Sequence, residues 1–86
     1  MTILTIVAVK DRAVDAYNRP FYVPTIGAAI RSFTDEVNRK ESEMQAHPED
    51  YDLYDMGTFC DQTGTFLPAE GGVPRVISRA QDLIIK

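Results

Sequence analysis

Eighty-six residues, 44% apolar and 26% charged, provide for one domain with a small core and exclude global disorder. The net charge of −4 argues against strong non-specific DNA binding, which rests on neutralising phosphates, and no apolar run reaches the roughly 18–20 residues that cross a membrane. A single cysteine, Cys60, excludes an intrachain disulfide and fits a reducing compartment such as the cytoplasm.

The opening MTILTIVAV is apolar but has no basic n-region. Its Ile, Val and Thr content predicts a central strand over Ile3–Val9 rather than a signal peptide. Lys10-Asp11-Arg12 ends that strand, and Ala13–Asn18 is a short connection able to hold one helical turn behind Asp11. Pro20 and Pro24 push Arg19 and Val23 toward extended geometry, so Arg19–Val23 is a stiff approach to a helix. Thr25 is placed to cap that helix, which runs from 25 to about 41. Ile26, Ile30, Phe33 and Val37 recur at helical spacing and form its apolar face.

After the turn His47-Pro48-Glu49-Asp50, residues Tyr51–Cys60 predict a strand with a bulge at Gly57, because the apolar alternation slips between Met56 and Phe59. Asp61–Gly64 is a hairpin loop and Thr65–Ala69 the return strand. Glu70-Gly71-Gly72 is a flexible connection, and Arg75–Ile77 reads as one more strand. The end is either a short helix capped by Ser78 or extended chain. The fold class is α+β: one small domain, β-α-β-β, with one amphipathic helix on a mostly antiparallel sheet and a short C-terminal element.

Charge is partitioned along the chain. Residues 1–40 carry six Lys/Arg and four Asp/Glu, residues 41–70 eight acids and no base, and residues 71–86 three bases and one acid. If strand 1 pairs with the C-terminal strand, Lys10 and Arg75 come together and the two basic ends merge into a patch that the net charge hides.

Few constellations can carry chemistry. One His and one Cys give no zinc set, and Glu49, Asp50, Asp52 and Asp55 lack the spacing of a calcium loop. These acids read either as a solvated edge strand that resists edge pairing or as a face for a basic protein partner. His47 and Cys60 are the one conventional nucleophile–base pair, and no phosphate loop, dinucleotide fingerprint or nucleophile elbow is present. The chain is expected not to be an enzyme and to need no cofactor or metal.

On the helix, Asp35 and Glu36 stand four residues before Arg39 and Lys40, and Arg31 faces Asp35, so these cations are expected to be self-paired. Lys10, Arg12, Arg19, Arg75 and Arg79 have fewer local partners. Arg19 adjoins Phe21 and Tyr22, with Tyr17 just upstream. A cation beside aromatic rings is how single strands are held without sequence preference. Alternation lets one of Phe21 and Tyr22 face outward while the other enters the core. The opposing reading makes both rings packing residues, with Arg19 on Asp11 or Asp15.

The segments KDRAVDAYNRPFYVPTIGAAIRSFTDEVNR (10–39), HPEDYDLYDMGTF (47–59) and TGTF (63–66) resemble the small nonstructural protein of gokushoviruses, single-stranded DNA phages of the Microviridae. The resemblance covers residues 10–66. Tyr22 and Tyr51 stand where relatives have Phe, and Cys60 where a polar residue is common. The resemblance implies a DNA-binding or DNA-synthesis role like that of the C protein of isometric coliphages, at the switch from duplex replication to single-strand synthesis coupled to packaging. It brings no active-site residues. Two functions of different class are therefore expected. One is an accessory protein binding single-stranded DNA through Lys10, Arg12, Arg19, Phe21 or Tyr22, Arg75 and Arg79. The other is an adaptor using Glu49, Asp50, Asp52 and Asp55 to contact the replication initiator, a host replication enzyme or the procapsid. A homodimer completing the sheet is compatible with both.

Overall fold

The computed structural model describes residues 2–85. Its elements are β1 (Ile3–Asp11), β2 (Ala16–Tyr17), β3 (Phe21–Val23), α1 (Ile26–Val37), α2 (Glu43–Ala46), β4 (Tyr51–Cys60), β5 (Thr65–Pro68), β6 (Arg75–Arg79) and α3 (Ala80–Leu83), with 3₁₀ turns at Pro48–Asp50 and Glu70–Gly72. The six strands form one antiparallel sheet, so the α+β class holds. Two long strands, β1 and β4, pair side by side at its centre. The outer edge of β1 is shared by β2 and β3, and that of β4 by β5 and β6.

This topology corrects three expectations. The acidic strand is not an edge: β4 is hydrogen-bonded along both sides. The C-terminal strand pairs with β4 and not with β1, so β4 separates Arg75 from Lys10 and the two basic ends do not merge. The 13–18 connection is no helical turn. The Asp11 carboxylate accepts from the Ala13 N–H at 3.0 Å, Asp15 takes φ 54°, and the chain returns as β2 against Lys10 and Asp11.

Thr25 caps α1 as its position predicted, its hydroxyl accepting from the Ala28 N–H at 3.0 Å. The helix stops at Val37, short of 41, because Asn38 takes over its end. Its side-chain amide donates to the carbonyls of Thr34 (2.9 Å) and Leu83 (3.0 Å), and its Oδ1 accepts from the Ile85 N–H at 2.7 Å. With the helix ended, Arg39 folds back onto Glu36 at 2.7 Å, in place of the Asp35 and Glu36–Lys40 pairings expected from i,i+4 spacing. Buried Ser42 then caps α2, accepting from the Gln45 N–H and donating to the Glu36 carbonyl. At the C-terminal end the chain is first strand and then helix, and Arg79 rather than Ser78 precedes the helical turn.

The core lies on one face of the sheet. Val7 and Val9 of β1, Val23 of β3, and Tyr51 and Leu53 of β4 meet Ala29, Phe33 and Val37 of α1 and Ala80 of α3. Fully burying an aliphatic side chain of this kind is worth about 1.5–3 kcal/mol. The helical layer covers the sheet from the row where Tyr51 pairs Asp11 to Val23 of β3, which pairs Thr5. The other end runs beyond it, which gives the molecule its 42 × 23 × 18 Å outline.

The register of β1 and β4 shifts between Ile6 and Val7: Ile6 pairs Gly57 and Val7 pairs Asp55, leaving Met56 as the extra residue. The Asp55 carboxylate accepts from the Gly57 N–H at 2.9 Å and fixes the bulge. Gly57 has φ 131°, and a Cβ there would collide with the Leu67 carbonyl, so glycine is required.

Candidate nucleic-acid interface

Directly paired residues point to the same face. On the face away from α1, β1 contributes Leu4, Ile6, Ala8 and Lys10. Register adds Tyr17 beside Lys10, Tyr22 beside Ile6, Tyr54 beside Ala8, Phe59 beside Leu4 and Phe66 beside Phe59. No helix covers these rings. Tyr17 meets Tyr54 edge-on at 5.3 Å between centroids, Tyr22 meets Phe59 edge-on at 5.8 Å, and Phe59 lies against Phe66 at 4.8 Å. Tyr17, Tyr22 and Phe66 remain 41%, 51% and 61% exposed, while Ile6 and Ala8 beneath the rings are buried. Such an array supplies flat apolar surface without a helix to seal it, and edge-to-face pairs are worth about 0.5–1.5 kcal/mol beyond area.

The bulge is what gathers the rings. By simple alternation Tyr54 and Phe59 point to opposite faces; the extra residue at Met56 brings both to one. The slip at Gly57 was legible in the sequence, but its effect on the aromatics needed the pairing partner.

Cations border the same face at one end. Across the strands the row reads Tyr17, Lys10, Asp52, Arg79. Lys10 Nζ stands 5.4 Å from the Tyr17 ring centroid and 3.2 Å from Asp15, whose hydrogen bond raises the lysine above its ordinary pKa. Arg79 reaches Asp52 at 3.5 Å, and Asp52 is buried, 3% exposed.

The other residues singled out from sequence scatter. Arg75 pairs Asp55 at 3.3 Å on the α1 side of β4. Arg12 lies past the end of β1 and donates to the Glu49 carbonyl at 3.3 Å. Arg19 is exposed in the β2–β3 connection, along the outer edge of β1, and makes no ion pair among the described residues; Asp11 and Asp15 are engaged elsewhere. Tyr22 is the outward ring, as one of the two had to be. Phe21 is on the α1 side but is not core: it stays 38% exposed, and Val23 fills the buried place.

The four acids do not form one face either. Asp52 and Asp55 point to opposite sides of β4 and are held by Arg79 and Arg75. Glu49 and Asp50 lie in the turn before β4, where with His47 their ligand atoms come within 4.8 Å of one another. His47 and Cys60 stand at opposite ends of β4, about 30 Å apart at the rise of an extended strand, so they form no nucleophile–base pair. Hydrogen bonding with Thr63 lowers the Cys60 pKa, and burial raises that of Tyr51. No helix of the described residues is long and apolar enough to cross a membrane.

The site is one face of a small antiparallel sheet, helix-covered on the other side and open over its aromatic rings. The family model described as Phage ORF5 protein matches residues 4–83, and the chain belongs to that phage protein family. Among curated proteins and among solved structures, none matches the chain.

Proposed function

We propose that this is a nonstructural accessory protein of a single-stranded DNA phage of the gokushovirus type, acting in the bacterial cytoplasm during genome synthesis and packaging, and that it binds single-stranded DNA on the open face of its sheet. The observation that carries this reading is the uncovered ring array, Tyr17, Tyr22, Tyr54, Phe59 and Phe66, bordered by Lys10 and Arg79. Bases of a single strand stack on exposed rings at roughly 1–3 kcal/mol each, whatever their identity, whereas duplex DNA hides its base faces. The family supports the phage setting, and the residue resemblance supports the single-stranded genome. The competing adaptor reading loses Asp52 and Asp55, whose side chains are only 5% and 14% exposed, and retains Glu49 and Asp50.

With few cations at the face and a net charge of −4, affinity is modest and its salt slope shallow. The chain has four tyrosines and no tryptophan, so poly-dT binding is read directly as quenching of tyrosine emission. Quenching by poly-dT at low salt is expected, with Phe66→Ala weakening binding roughly 5- to 150-fold. Absence of binding at low salt, or a Phe66→Ala variant binding as the parent does, overturns the reading.

A further inference from the structure

The cations around the open face differ in what already holds them. Arg79 is engaged by buried Asp52, and turning its guanidinium toward a ligand would leave that carboxylate buried and uncompensated. Lys10 is engaged by Asp15, whose side chain is 87% exposed; an exposed pair of this kind is weak and exchanges readily for a phosphate. Arg19 has no ion pair to give up among the described residues.

The fold fixes where Arg19 stands. The Asn18 N–H donates to the Val9 carbonyl at 2.8 Å and ties the β2–β3 connection to the outer edge of β1. Pro20 restricts Arg19 to extended backbone. Tyr17, two residues before it, and Tyr22, three residues after, both lie on the open face through their pairing with Lys10 and Ile6. Ring, cation and ring therefore follow one another along this edge. The opposite edge differs: on the open face β5 and β6 present Phe66, Pro68 and Val76, and the one cation there is the engaged Arg79.

We infer that Arg19 is the phosphate anchor of the open face. The backbone of the bound strand is held at the β2–β3 edge by Arg19, with Lys10 second, and the strand crosses from there toward Phe59 and Phe66 by stacking alone. A guanidinium suits the task because its planar fork donates two bonds to one phosphate. This inference rests on the proposed single-strand binding and adds to it the edge on which the strand's phosphates are gripped.

The test follows poly-dT binding to the full chain by tyrosine emission over a range of salt concentrations. Each phosphate neutralised on a single strand contributes about 0.7 to the slope of log affinity against log salt. Arg19→Gln is expected to lower the slope by about 0.7 and to weaken binding roughly tenfold near 0.05 M salt, the loss shrinking as salt rises. Arg19→Lys should keep the parent's slope, since a point charge also displaces a counterion. Arg31→Gln is the control for net charge: Arg31 is exposed on α1, over the covered side of the sheet, and makes no ion pair among the described residues. Its slope should match the parent's. Both positions are exposed, so the variants keep the fold. In NMR titrations with dT6, the Arg19 Nε–H signal should move and that of Arg31 should stay. The anchor is overturned if poly-dT binds but Arg19→Gln keeps the parent's slope, if Arg31→Gln lowers the slope equally, or if the Arg19 signal does not move. If the parent fails to bind poly-dT at low salt, the proposed single-strand binding has failed instead, so the two failures are told apart.

Discussion

The two faces of the sheet are built from the same strands by different chemistry. The covered face uses aliphatics, Val7, Val9, Val23 and Leu53, which interlock with Phe33 and Val37 and exclude water because a helix closes over them. The open face uses rings that shield Ile6 and Ala8 by leaning edge-on against one another. Aliphatics need a lid to be dry. Rings cover a backbone without one, at the cost of standing in water themselves. The difference teaches that one sheet can be kept dry in two ways, by a helical lid on one side and by mutually leaning rings on the other, in a chain too short to give each face its own layer.

That division can be broken most severely from the covered side. Leu53→Ala should cost about 3–5 kcal/mol in urea unfolding, since Leu53 is fully buried among residues that cannot collapse onto the gap. Gly57→Val strikes the joint between the faces. A side chain at φ 131° that meets the Leu67 carbonyl should cost about 3 kcal/mol and shift the amide NMR signals of Phe59 and Phe66, because the bulge sets their direction.

On the open side the signature reverses. Phe66→Ala should change stability by less than about 1 kcal/mol in urea unfolding, while its affinity for poly-dT drops by the full worth of a lost stacking ring. Equal losses on both assays would show that the faces do not divide the work.

The smallest effect lies outside both faces. Glu36 is held below the ordinary carboxylate pKa, chiefly by its hydrogen bonds with Arg39. Its contribution is therefore present above the unfolded-state pKa and is lost as pH falls through the lower folded value. A Glu36→Gln variant should be slightly less stable than the parent near neutrality and indistinguishable from it in strong acid. Thermal melts across that range check it; the exposed position of the pair keeps the difference small.

Most of the frame was legible from local pattern. β1 announces itself by a run rich in Ile, Val and Thr, α1 by Thr25 and the spacing of Phe33 and Val37, and the bulge by the slipped alternation at Gly57. What escaped was set by partners distant in sequence. Two-residue β2 has no period to detect, and β6 pairs with β4 across a long sequence gap, Asp52 opposite Arg79, 27 residues away. Arg75 and Arg79 look available in sequence because their carboxylates are not local. The candidate site suffered the same way. Tyr22 could be argued outward from alternation alone, whereas Tyr17, Tyr54, Phe59 and Phe66 join it only through register.

The pairing of both β1 and β6 with β4 also gives the molecule a mechanical character. Both run antiparallel to β4, so they run parallel to each other. The start of β1 lies at the far end of the sheet beside Cys60, and the exit of β6 at the near end beside Asp52. A force drawing the two chain ends apart first pulls Leu83 and Ile85 from Asn38, and then loads both ladders of β4 along their length, in shear. Every bond in a ladder resists together, so the fold is stiffest along the direction of β4.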